Sequence, residues 1–586
     1  MNRLPRITSL AGATALALAS LPSHALIVTE QFDGAWFNAA QSGRGLLVDV
    51  VPQSNGTSVF FGAAFTYDNA GNPFWFTIQP SIAEGQNVVT GIEVRRFNGG
   101  TFGNTFTAPN PASGTVIGTG TLTVENCNSI KLAITPNAAS NGLPNVNFQF
   151  IRLAGGASST CPYSGTFTTC PTGTTPVAGQ AAVCELTGVL AGNVVLDNKA
   201  TYILNGKVQV GTPLSGGNTV PATLTVPAGT LVKGKGGPSD YLVVNPGSKI
   251  FAEGLPTAPV IFTGPTETGG TWAGLFLAGR APVNKAATPG GTVPFEADAN
   301  IIFGGNDPND SSGVLRYVQV RHGGQTIAPN RELNNITFGG VGAGTVIDHV
   351  QAHNGTDDGF EWFGGTVNAK YLVSTGNDDD NLDMDFGYSG KIQYVYVKPD
   401  AQVDEADGRC VESDDQDQNF DALPRTQPKI ANVTCQGSAA APTWVEGMRL
   451  RRGSAGNYFN VVFANMRDAC IRFNDNQTYN ASGPANALTG STTMQGAFVS
   501  CNTNFADGAT PPFTVASWFN GQAGNVAGNA ATALTGRFAT PGGALDGTGV
   551  TVPNDAFFDR TSYKGAFGPA GVAIDWTAGW TVPGSL

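Results

Sequence analysis

Asp357-Asp358-Gly359-Phe360-Glu361-Trp362 is followed 22 residues later by Asp379-Asp380-Asn381-Leu382-Asp383-Met384, matched position for position. In both copies a pair of carboxylates leads into an apolar–acidic–apolar triplet. A strand alternates its side chains between two faces, so the outer members of the triplet point one way and the acid the other. The triplet returns as Val411-Glu412-Ser413, Met448-Arg449-Leu450 and Ile471-Arg472-Phe473. A repeat of about 20 residues without helical periodicity indicates a β-solenoid, in which each coil buries its inner face against the next.

The strands upstream of the triplet also line up. Tyr317-Val318-Gln319-Val320 resembles His349-Val350-Gln351-Ala352, and Tyr371-Leu372-Val373, Tyr394-Val395-Tyr396-Val397, Ala431-Asn432-Val433-Thr434 and Asn460-Val461-Val462-Phe463 read as the same strand on later coils. Further upstream, Leu224-Thr225-Val226-Pro227-Ala228-Gly229-Thr230 is echoed after 18 residues by Leu242-Val243-Val244-Asn245-Pro246-Gly247-Ser248, which reads as another coil repeat.

Composition agrees with an all-β chain. Of 586 residues, 78 are glycine and 36 proline, and only 13% are charged. Soluble domains average about 25% charged, so coiled coils, helical bundles and highly charged disordered chains are excluded. The net charge is −12, with no Lys/Arg-rich block, which argues against a nucleic-acid partner. No stretch reaches the ~18 apolar residues of a membrane span.

Residues 1–25 read as a secretory signal: Arg3 and Arg6, an apolar run from Leu10 to Leu21, then Ser23-His24-Ala25. Export favours disulfides among Cys127, Cys161, Cys170, Cys184, Cys410, Cys435, Cys470 and Cys501. Neighbour pairing would join 127–161, 170–184, 410–435 and 470–501, although spacing alone does not establish connectivity. The expected organisation is a signal segment (1–25), a small β domain (26–155), a Cys-containing linker (156–190), a parallel β-helix (191–560) and a closing segment (561–586). Trp36 and Trp75 in the small domain read as core residues, with sugar stacking the lesser alternative.

Two resemblances add to this. Gly34-Ala35-Trp36-Phe37-Asn38 with Ser42-Gly43-Arg44-Gly45-Leu46, Phe65-Thr66-Tyr67-Asp68, Asn72-Pro73-Phe74-Trp75 and Cys127 resembles a small β domain recurring in exported proteobacterial proteins. Residues 220–586 resemble exported bacterial proteins with a right-handed parallel β-helix of pectin-lyase-like architecture. The matching residues are Lys249-Ile250-Phe251-Ala252-Glu253-Gly254, Pro259-Val260-Ile261-Phe262-Thr263, the Asp-Asp-Gly-Phe-Glu run, Gly565-Ala566-Phe567, Trp576 and Trp580. The resemblances imply a secreted protein, or one of the periplasm or outer surface of a Gram-negative bacterium, in a group whose function is largely unassigned.

The chemistry concentrates in one place. Asp348 to Asp421 holds 18 acidic residues against Lys370, Lys391, Lys398 and Arg409. Stacked coils put Glu361, Asp383, Glu412, Arg449 and Arg472 on one outward line at the ~4.8 Å spacing of a sheet. Neighbouring carboxylates at that spacing repel by about 3 kcal/mol at an effective dielectric of ~20. A Ca²⁺ ion held by Asp357, Asp358, Glu361, Asp379, Asp380, Asp383 and Glu412 would relieve this, since it takes six to eight oxygens in flexible geometry. The competing reading is that these residues cap turns and face water.

Two functions follow. One is a non-catalytic secreted or surface protein that binds glycan or a matrix partner, with calcium structural. The other is a lyase or hydrolase of acidic polysaccharide, with Asp358, Asp380, Asp383, Arg449 and Arg451 as its catalytic candidates and Arg452 nearby. His322, His349 and His353 are expected at surface strand edges rather than in catalysis, because no nucleophile motif accompanies them. Gly339-Gly340-Val341-Gly342-Ala343-Gly344 opens no helix, so no nucleotide cofactor is expected. Gly453-Ser454-Ala455-Gly456 lacks the spacing of a nucleophile elbow.

Overall fold

The computed structural model describes residue 28 and residues 32–586 apart from 39, 53–56, 84–85, 87, 98–113, 127–128, 141, 153–166, 181, 216, 238, 257, 329–330, 400–407, 439–445, 484–490 and 583. The expected signal segment, Cys127 and Cys161 lie outside the described residues. Of the proposed disulfides, Cys170–Cys184, Cys410–Cys435 and Cys470–Cys501 are formed.

The N-terminal unit is an antiparallel barrel. Its strands are β1 (Gly34–Phe37), β2 (Gly45–Pro52), β3 (Thr57–Tyr67), β4 (Pro73–Ile78), β5 (Ser81–Ala83), β6 (Val88–Arg96), β7 (Thr115–Asn126), β8 (Ser129–Pro136) and β9 (Val146–Arg152). They pair in the order β2-β1-β9-β8-β7-β6-β4-β3-β5, and β2 also pairs with β3, so the sheet closes on itself and only β5 is left outside the ring. Phe60, Phe76, Leu122, Leu132 and Phe150 fill the interior. Trp36 is buried as expected, and its Nε1 donates to the Phe32 carbonyl at 2.9 Å. Trp75 is not a core residue: alternation along β4 sends Phe76 inward and leaves Trp75 43% exposed.

The rest is a parallel β-helix. Among the described residues, 27 strands join into one sheet system, and the pairings between its long coils are parallel. Three faces emerge from the registers. The first passes through the leading halves of Gly313–Arg321, Val346–His353, Asn368–Thr375, Lys391–Lys398 and Lys429–Gln436, and the second through their trailing halves. The third stacks Gly274–Ala278, Ile336–Gly339, Phe360–Phe363, Leu382–Asp385, Arg409–Ser413, Glu446–Leu450 and Ala469–Phe473. Inside, a single apolar column runs the length of the solenoid, with Trp362 stacked between Phe338 at 5.3 Å and Tyr388 at 5.4 Å.

Phe360 pairs with Leu382 and Glu361 with Asp383, as the 22-residue repeat requires. The 18-residue echo has a different cause. Leu224 pairs with Ile250, whereas Leu242 pairs with Leu275. The two copies therefore occupy different faces of the solenoid, and the resemblance reflects a shared strand–turn pattern rather than one coil.

The corner between the first two faces is sharp. At this corner Tyr317, His349, Tyr371, Tyr394, Asn432 and Asn460 all take positive φ, between 48° and 62°. A side chain in the left-handed region costs about 1–2 kcal/mol, and stacking repays it here. Ring centroids are 4.4 Å apart for Tyr317–His349, 4.3 Å for His349–Tyr371 and 4.9 Å for Tyr371–Tyr394. The C-terminal segment folds back along this corner. Val550 accepts from Asn460 Nδ2, Gly565 accepts from Asn432 Nδ2, Trp576 packs on Tyr371, and Trp580 packs on His349 and Tyr317.

The histidines are not surface groups. His349 lies within the aromatic stack. His322 and His353 contact Thr263 Oγ1 at 2.9 Å and Thr375 Oγ1 at 2.8 Å. Burial pushes them down to about 2 and about 4, with the Arg321 charge adding to the effect.

Candidate metal centre on the third face

The third face carries three outward columns. Register places Glu361, Asp383, Glu412, Arg449 and Arg472 in one line, the ladder expected from the triplets. Asp358, Asp380, Arg409 and Glu446 form a second line, because Gly359 N donates to Asp380 O, Asn381 N to Arg409 O, and Arg409 pairs with Glu446. Phe363, Asp385 and Asp414 form the third, with Asp414 N donating to Met384 O. Asp385 and Asp414 were not singled out as site residues, although Asp385 follows Asp383 at the alternation that returns to the same face.

The columns change sign along the axis. At the arginine end the acids are compensated. Arg451 pairs with Glu412, and with Asp414 at 2.7 Å; Arg452 meets Asp414 at 2.6 Å; Arg409 meets Glu412 at 2.9 Å. Arg449 holds the fully buried Glu446 at 2.6 Å, and Arg472 also pairs with it. At the other end Asp358, Glu361, Asp383 and Asp385 have no ion-paired lysine or arginine among the described residues, and Asp380 has only Arg409, at 3.3 Å.

These acids are buried or half-buried rather than fully open to water, and two of them also cap backbone groups: Asp358 Oδ1 accepts from Asp380 N at 2.8 Å and Asp385 Oδ1 from Phe386 N at 2.6 Å. An insertion covers the neighbouring coils: Phe295 and Phe303 pack on Phe276 and Phe363 of the third face. Burial, reinforced by neighbouring carboxylates, pushes Asp358, Glu361, Asp380 and Asp385 well above the usual carboxylate range. Burial likewise lifts Asp383 to about 7 and Glu412 to about 8, with Asp414 and Asp383 respectively the leading charges that add to it.

The carboxylates converge in three overlapping groups: Asp357, Asp358 and Asp379; Asp358, Glu361 and Asp383; Asp380, Asp383 and Glu412. Within each group one oxygen per residue lies within 4.8 Å of the others. Ligands at 2.3–2.6 Å from one Ca²⁺ ion can be about that far apart. Asp380 Oδ1 and Asp383 Oδ1 are buried without a hydrogen-bond partner, although Asp380 is only 4% exposed. Buried polar oxygens normally find partners. All-oxygen donors, shared carboxylates and two orphaned oxygens fit a hard divalent cation.

The same geometry bears on catalysis. An inverting glycosidase needs its carboxyls about 6.5–9.5 Å apart; within each group the nearest oxygens are closer than that, while Glu361 and Glu412 stand two coils apart. A lyase base must be able to lose its proton, but Glu412 and Asp414 raise the Arg451 pKa further above its ordinary value despite its burial. No helix among the described residues is long and apolar enough to cross a membrane. Comparison with curated proteins and with solved structures found no match. Residues 188–581 match the family described as "Pectate-lyase like beta helix domain", which spans more than half of the chain and includes every coil of this face, and the chain belongs to that family.

Proposed function

We propose that the protein is an exported, non-catalytic binder of acidic polysaccharide. In this reading Asp357, Asp358, Glu361, Asp379, Asp380, Asp383 and Glu412 hold Ca²⁺, and the adjoining arginines receive the anionic chain. The observation that carries it is the run of three overlapping carboxylate groups with orphaned oxygens on Asp380 and Asp383. A bound Ca²⁺ supplies positive charge that bridges protein and uronate carboxylates. Arg449 and Arg472 stand one and two coils beyond Glu412, where they extend the same line with positive charge. Three disulfides and the family's architecture support an extracellular setting. Titration of polygalacturonate into the protein should give Ca²⁺-dependent binding that EDTA abolishes. Equal binding in EDTA would reject this reading.

The position of Arg449 directly after Glu412 favours a second reading, a lyase of the same substrates. Incubation with a polyuronate panel decides between the two. Unsaturated product would establish the lyase; binding without product, or new reducing ends without unsaturation, excludes it.

A further inference from the structure

The N-terminal barrel has an aromatic hollow on its outside. Alternation on β3 and β4 turns Phe61, Phe65, Tyr67 and Trp75 outward, between 37% and 45% exposed. Register sets Phe65 beside Trp75, and Thr77 beside Arg95 of β6. Trp75 and Phe97 stack at 5.4 Å with only 11° between their planes, forming one flat wall. Phe61 supplies another side of a hollow of ≈ 860 Å³. Thr77, Gln79, Glu93 and Arg95 also line it, and Glu93 is ion-paired with Arg95.

That mixture selects a ligand class. An apolar ligand would meet an ion pair and an amide. An anionic one would meet Glu93 as well as Arg95, with no net attraction. A neutral sugar has an apolar face of C–H groups that stacks on flat rings and a rim of hydroxyls that bonds to carboxylate, guanidinium and amide groups. Phe61 and Trp75 sit on strands and Phe97 stacks on Trp75 directly after β6, so little ordering is lost on binding. We propose that this hollow binds a neutral oligosaccharide, with Trp75 and Phe97 as the stacking platform and Gln79, Glu93 and Arg95 as hydroxyl partners. The site is separate from the acidic face and needs no cation.

The test is calorimetric titration of the full mature chain in EDTA with the hexaoses of cellulose, xylan, mannan, chitin and starch. Hexagalacturonate and phosphatidylcholine vesicles serve as comparisons. The expected result is binding of at least one neutral hexaose with Kd below ~1 mM, unchanged by added Ca²⁺. Trp75→Ala should weaken it at least about tenfold, and Trp75→Phe less, because a smaller ring still stacks. Acrylamide quenching of the unsubstituted protein should fall when that hexaose is added, which reads Trp75 even if a variant fails to fold. The proposal is overturned if no neutral hexaose binds below ~1 mM, if folded Trp75→Ala binds as the wild type does, if quenching is unaltered, or if only hexagalacturonate or vesicles bind. Because these titrations are made without Ca²⁺, loss of the acidic-face reading would leave them unaffected.

Discussion

Asp383 lies at the centre of the carboxylate field, and its environment fixes how the protein should respond to pH. Its folded pKa of about 7 stands above the model-compound value of 3.8. Between those values the folded state holds a proton that the unfolded state has lost, so stability falls as pH rises. Glu412, at about 8, extends the decline by another unit. In EDTA the melting temperature should therefore drop from about pH 5 to pH 8, each unit of displacement being worth about 1.4 kcal/mol. Calcium should reverse the trend, because it binds the ionised form and releases protons. At a hundredfold excess over Kd it adds about 2.7 kcal/mol. Melting curves in EDTA and Ca²⁺ across that range check both statements; a flat EDTA curve would contradict the burial of the cluster. Asp383→Asn should raise the melting temperature in EDTA at pH 8, since it removes a repelling charge, while abolishing most of the Ca²⁺ response. The ladder that holds these residues was legible because apolar neighbours flank each acid. Their burial was not, since no periodicity shows which segments close over a coil; Phe295 and Phe303, for example, come from an insertion that packs on Phe276 and Phe363 of the same face.

At the scale of the coil, the repeating strands were readable from the Tyr-Val, His-Val and Asn-Val runs, and their registers follow that alignment. The left-handed corner was not. Tyr and His at positive φ are uncommon, and only the stack from coil to coil makes the conformation worth adopting. Asn432 shows what the corner demands. It takes φ 57°, accepts from Gln393 at 3.0 Å and donates to Thr561 and Gly565 at 3.0 and 3.1 Å. Asn432→Ala should cost about 2–4 kcal/mol, from lost buried hydrogen bonds and the poorer left-handed tolerance of alanine. Asn432→Gly should recover the conformational part alone. Inside the coil, Trp362→Ala should cost about 3–5 kcal/mol through the cavity left between Phe338 and Tyr388. Urea unfolding measures both.

For the whole molecule, the C-terminal segment ties coils together that are distant in sequence. Trp580 O accepts from Gln319, and Val582 N donates to Gln351, 231 residues away. Truncation before Val550 should uncover the Tyr317–Tyr394 stack, lower the melting temperature and raise binding of a hydrophobic dye; an unaltered melt would show that the segment merely lies on the surface. The barrel's outward aromatics escaped the sequence reading for a related reason: a Trp next to an inward Phe looks like core until the sheet closes and assigns the sides. The fold-back segment also sets a clock. Coils need only their neighbours, so they can form one after another as the chain emerges. The corner contacts wait for residues 550–582 to be made. Until then a finished-looking solenoid keeps a seam of tyrosines open to proteases and to other copies, and residues 550–582 decide when that seam is sealed.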